Sequence, residues 1–236
     1  MLLCLGCKTN NKKEAVGLTN NSENLYGDVN IVGAMKNVMW KGELQGVIKL
    51  DTISNKTGLY GLGPKSYLSG EILINNGVSY ISEVSSDTTM VVKPTFDVSA
   101  PFFVYANVRA WRELKLPDTV KNIETLETFI NKQTTNYKRP FTFKLKGKVT
   151  TATVHVQNLP KGSKVRSPKE AHIGQTNYVI KDKEVEIIGF FSTAHKGIFT
   201  HHDSFLHMHL ITEDYSVMGH LDALEISKMV LFLPQY

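Results

Sequence analysis

The segment Thr200–His220 reads THHDSFLHMHLITEDYSVMGH and holds five of the chain's eight histidines. Packing alone gives histidine no reason to cluster. As a strand, FLHMHLI places successive side chains on opposite faces, so His207 and His209 point the same way as Ile211, and Met208 points away with Leu206 and Leu210. EDYSVMG reads as a turn that brings the chain back and sets His220 beside the pair. The resulting H-x-H-x₁₀-H spacing offers three neutral imidazoles and open positions, the donor set of a catalytic zinc site rather than of a closed, cysteine-rich one. The other reading is a hairpin whose histidines are incidental. His201 and His202 precede the strand and are expected in a solvated loop. His155, His172 and His195 are expected to be structural. The segment also approaches the first motif of the cupins, with Glu213 and Gly219 in place, but position 201 is His where that motif has Gly and no second motif follows.

The 236 residues suffice for a core without staples. Net charge is +5, with lysines scattered over turns and only four arginines. No basic stripe interleaved with aromatics is present, so no nucleic-acid partner is expected and a small-molecule substrate is. The two cysteines, Cys4 and Cys7, both lie at the N-terminus, which excludes a disulfide framework and a catalytic thiol in the body of the chain. MLLCLGCKTNNKKEAV resembles a bacterial lipoprotein signal, with Cys7 to be lipidated and residues 1–24 as signal and tether to the envelope. Its apolar run is only about six residues and no basic stretch precedes it, so a cytoplasmic chain is the alternative.

From residue 25 the patterns become structured. Apolar spacing over Ile31, Val32, Met35, Val38 and Met39 predicts a helix. EILINNGVSYIS predicts a hairpin turning at Asn75-Asn76-Gly77. PFFVYANVRAWREL reads as a strand. DTVKNIETLETFINKQT predicts a helix capped by Asp118, with Val120, Ile123, Leu126, Phe129 and Ile130 as its stripe. FTFKLKGKVTTATVHVQNL predicts a hairpin about Lys146-Gly147-Lys148, and NYVIKDKEVEIIGFFS another. The expected class is α+β: a mixed β-sheet with helices in the N-terminal half and an antiparallel, β-rich C-terminal half, with two linked sub-domains divided near 132–140.

Two blocks carry a family resemblance. HMHLITEDYSVMGHLDALEI, residues 207–226, is similar to the C-terminal half of acetolactate decarboxylases. YGLGPKSYLSGEILINNGVSYIS, residues 60–82, resembles their Gly-Leu-Gly passage, whose Glu lies near the metal. The resemblance implies conversion of 2-acetolactate to (R)-acetoin and CO₂ through a zinc-stabilised enediolate, one Zn²⁺ per chain, and a homodimer. It implies His207, His209 and His220 as metal ligands and Glu71 as the carboxylate beside them. PFTFKLKG aligns Lys144 with the family's essential Arg, keeping the charge but losing the planar fork that grips a carboxylate. The family's C-terminal Glu has no expected counterpart in the sixteen residues after His220. Two alternatives stay open. One is a metal-binding relative that acts on another 2-hydroxy or β-keto acid, or on nothing. The other is a non-enzymatic surface lipoprotein.

Overall fold

The computed structural model describes residues 27–235; the expected tether and Cys7 lie outside them. The first part of the chain runs through β1 (Asn30–Gly33), α1 (Met35–Lys41), β2 (Ile48–Lys49), β3 (Leu59–Pro64), β4 (Glu71–Asn75), β5 (Val78–Val84), β6 (Met90–Pro94), β7 (Ser99–Ala100), β8 (Phe102–Asn107) and β9 (Trp111–Lys115). Helix α2 (Ile123–Gln133) leads into β10 (Phe141–Val156), α3 (Pro168–Ala171), β11 (Thr176–Lys181), β12 (Glu184–Phe191), β13 (Leu206–Thr212) and β14 (Met218–Pro234). The α+β class expected from the sequence holds. In detail, the first sheet, ordered β1-β8-β3-β4-β5-β6, pairs antiparallel at every step rather than mixing directions. Among the described residues no helix is long and apolar enough to cross a membrane.

The second sheet closes on itself. Strands β12, β13 and β14 pair in order, and β10 pairs with both β12 and β14. Alternate residues of these strands, among them Phe143, Leu145, Ile187, Met208, Leu210, Leu221 and Leu231, fill the interior, and Leu126 and Ile130 of α2 join that cluster. The opposite face of β12 and β13 packs Ile188, Phe190 and Ile211 against Tyr60, Leu62, Leu73 and Val104 of the first sheet. Strand alternation therefore sends Met208 into the barrel and turns its neighbours His207 and His209 toward the first sheet.

Several local expectations resolve differently. The run read as one helix from Ile31 splits into β1 and α1. Helix α2 is capped by Asn122, not Asp118: Asn122 Oδ1 accepts from Thr125 N at 2.9 Å, and Thr125 Oγ1 accepts from Asn122 N at 3.1 Å. The Asn76-Gly77 turn forms as expected, with φ of 48° and 83°, the left-handed pair of a tight hairpin. Residues 141–156 do not fold back at Gly147. They form one strand that swings from β12 toward β11, with Gly147 at φ 144° and its α-hydrogen close to Lys228 O, where a Cβ would sit 2.2 Å away. Likewise β11 and β12 are no hairpin. They run end to end along β10, interrupted only at Asp182-Lys183. The long strand read from Pro101 to Leu114 divides between the sheets, β8 in the first and β9 against β14 in the second.

Candidate active site

Strand pairing gathers residues far apart in sequence. His209 lies directly opposite His220, and His220 lies opposite His155 on β10. Gly219 makes that approach feasible, since a Cβ there would sit 2.5 Å from His155 O. Glu71 opens β4 on the facing sheet. The preceding Gly70, at φ 153°, leaves only 2.3 Å between a would-be Cβ and Ser82 O, so no larger residue could bring the strand in this way.

His207, His209 and His220 each offer a ligand atom within 4.8 Å of the others. Their ring centroids form a nearly equilateral triangle with sides of 5.0, 5.3 and 5.4 Å. An ion about 2.0–2.1 Å from one nitrogen of each ring would lie about 3.2 Å from each centroid, and a tetrahedral set would then space the centroids by about 5.2 Å. The rings are thus arranged as three ligands of one ion would be. Their chemistry fits as well. Among the described residues, Nδ1 of His207 and both nitrogens of His209 are buried without a well-formed hydrogen bond, an unfavourable state that coordination would relieve. Burial pushes His209 down to about 3 and holds His207 and His220 well below the ordinary imidazole range, with neighbouring imidazoles adding to it. All three are therefore neutral and present lone pairs. Glu71 Oε2 lies 3.7 Å from His209 Nε2. Burial lifts the Glu71 carboxyl well above the usual range, opposed by a hydrogen bond that Gln157 N donates to Oε1 at 3.3 Å.

Two histidines expected to be bystanders belong to this cluster. The His155 ring lies 4.6 Å from that of His220, and its Nδ1 sits 2.8 Å from both carboxylate oxygens of Asp222. His201 Nε2 lies 3.2 Å from His220 Nε2, from the loop before β13. His172 stands one ring further out, 6.4 Å from His155. His202 is exposed, and His195 bonds Ser192 Oγ at 2.6 Å. Lys144 is not brought to the group. It points to the same side of the sheet as His209, two strands away through Ile188, and its ammonium lies over Trp111 and Phe232, at 5.3 and 4.7 Å from the ring centroids. The residue of β10 that faces the histidines is His155. The alternation of TTATVHV could have marked its face, but only the long-range pairing with β14 shows what that face meets.

A cavity of about 420 Å³ opens on His201, His207, His220 and Asp222, with Ile123, Glu124 and Glu127 at its rim. A narrower pocket beside it is walled by Glu71, His155 and Gln157 and by apolar Met35, Leu68 and Phe102. Among the described residues no lysine or arginine lines either one.

Comparisons with known proteins agree with this fold. The crystal structure of alpha-acetolactate decarboxylase from Bacillus subtilis strain 168 superimposes with a TM-score of 0.72 at 21% identity, over 88% of this chain and 86% of that one. A Staphylococcus aureus protein of unknown function similar to alpha-acetolactate decarboxylase gives 0.74 at 17% identity, over 88% and 85%. Acetolactate decarboxylase from Bacillus subtilis subspecies spizizenii gives 0.70 at 21%, over 88% and 86%. No curated protein sequence matches the chain. The family model for alpha-acetolactate decarboxylase matches residues 29–235, nearly all of the described structure, and the chain belongs to that family.

Proposed function

We propose that this protein decarboxylates 2-acetolactate to (R)-acetoin and CO₂ at a single Zn²⁺ held by His207, His209 and His220. The observation that carries the reading is the triangle of buried, neutral imidazoles, each offering a ligand atom within 4.8 Å of the others, beside Glu71. Neutral nitrogen donors with a carboxylate suit Zn²⁺ among first-row ions. When bound, the ion supplies a Lewis acid for the substrate's oxygens. The protein does the rest. The wall of Met35, Leu68 and Phe102 excludes water from the reacting carbons. Gln157 N ties Glu71 Oε1, leaving Oε2 on the histidine side as the atom that holds and returns a proton. Because Glu71 approaches from the first sheet alone, it delivers that proton to one face of the substrate, as a single enantiomer requires.

Purified protein supplied with Zn²⁺ and racemic 2-acetolactate should yield (R)-acetoin, and a His207→Ala/His209→Ala double variant should yield none and bind no zinc. No acetoin above the metal-free blank sinks the reading. A second reading has its own support: among the described residues no lysine or arginine lines the pockets to grip a substrate carboxylate. The chain would then be a relative that binds another hydroxy acid without this turnover. Binding of hydroxy acids without acetoin formation would favour it.

A further inference from the structure

Gln157 is almost wholly buried and walls the pocket beside the histidine triangle. Its main-chain N–H is spent on Glu71. Its side-chain nitrogen lies 3.4 Å from His155 Nε2 and 3.3 Å from Gln175 Oε1. The Asp222 carboxylate only accepts, so His155 Nδ1 donates to it, and the Gln157 amide nitrogen faces the other ring nitrogen, Nε2. At the other end Gln175 Nε2 donates to Asn177 Oδ1 at 3.0 Å, which leaves Gln175 Oε1 as an acceptor. Both hydrogens of the Gln157 amide are thereby claimed. Its Oε1 is left buried with no partner among the described residues. An amide oxygen in that state is unfavourable, and a donor brought in from outside relieves it.

We propose that Gln157 Oε1 accepts a hydrogen bond from a hydroxyl of the bound ligand, and that this contact selects small acids bearing a hydroxyl beside the carboxyl. Asp222 and His155 are positioning residues that hold the amide in this orientation. The proposal rests on reading the pocket as the substrate site, but not on turnover. The placement supports it: Gln157 and the histidine triangle share Glu71, one oxygen facing each. Gln157, Glu71, His207 and His220 line one pocket, so an oxygen-bearing ligand bound there lies beside the amide. A site built around such a bond discriminates strongly against an analogue that cannot make it.

The test uses two unreactive probes, 2-hydroxy-2-methylbutanoate and its 2-methoxy counterpart, which keeps the oxygen but has no proton to give. Binding to the zinc-loaded full chain is measured by calorimetry, with metal content and unfolding midpoint recorded for each variant. Wild type should prefer the hydroxy acid roughly tenfold or more. Gln157→Leu should bring the two probes to near parity with zinc content unchanged, and Gln157→Glu, which keeps an acceptor oxygen, should retain the preference. An undiminished preference in a folded, zinc-loaded Gln157→Leu variant overturns the proposal. So does a wild type that binds neither probe or favours the ether. A preference that follows Gln157 in a protein producing no acetoin would leave this inference standing while removing the decarboxylase reading.

Discussion

Replacing His209 with leucine should change stability in opposite directions with and without metal. His209 is fully buried, and neither ring nitrogen makes a well-formed hydrogen bond among the described residues, its approach to the Ile72 main chain falling short of one. Leaving such a group unsatisfied costs about 1–3 kcal/mol. Leucine is of similar volume and faces the same interface as Ile188 and Ile211, so the substitution removes the polar cost without opening a cavity. In chelator at pH 7.5, His209→Leu should therefore be more stable than wild type by about 1–3 kcal/mol. For a chain of this size that corresponds to roughly 2–4 °C of melting temperature per kcal/mol. With zinc at about a thousand times its dissociation constant, wild type should gain about 4 kcal/mol by linkage, and the variant, missing a ligand, far less. The order then reverses. Urea unfolding followed by circular dichroism, run in chelator and in zinc, measures both differences. If the leucine variant is the less stable protein in chelator, the nitrogens are not orphaned and the reasoning fails.

Acid should destabilise the metal-free protein steeply. Between pH 6.5 and 4.5 the unfolded chain protonates His207, His209 and His220 while the fold keeps them neutral, so each contribution is lost as pH falls. Glu71 acts in the opposite sense, because the fold keeps its proton where the unfolded chain gives it up. More protons enter these histidines on unfolding than leave Glu71, so stability should fall with pH across that window, read from unfolding midpoints; a flat profile would contradict the buried neutral imidazoles. Lys144→Met should leave kcat/KM for acetolactate within about twofold, since the ammonium rests on Trp111 and Phe232 rather than in the pocket; a hundredfold loss would place it in the site after all. Asn122→Ala should cost about 1 kcal/mol in urea by removing the cap of α2, whereas Asp118→Ala should cost almost nothing.

Much of the site is local in the sequence, and that part was legible. His207 and His209 are two residues apart on a strand, so strand geometry alone puts them on one face. A short turn returns His220, and the Asn76-Gly77 dipeptide demands the hairpin that follows Glu71. What the sequence could not carry is which distant strand lies across from which. His155 looked like an ordinary strand residue because its partner, His220, is 65 positions away and pairs with it only when β14 closes the barrel onto β10. Gly147 and Asp182-Lys183 looked like turns because left-handed residues mark turns, yet here they mark a bend and a break in strands held by continuous neighbours. Lys144 was assigned from alignment along the chain, where a shift of position costs nothing. Pairing fixes the face and the neighbours of every residue at once, and it puts Lys144 on an aromatic pair and His155, clamped by Asp222, beside the histidine triangle. Sequence determined which residues could bind an ion; barrel closure decided which of them face it, because that depends on contacts the chain makes only after folding.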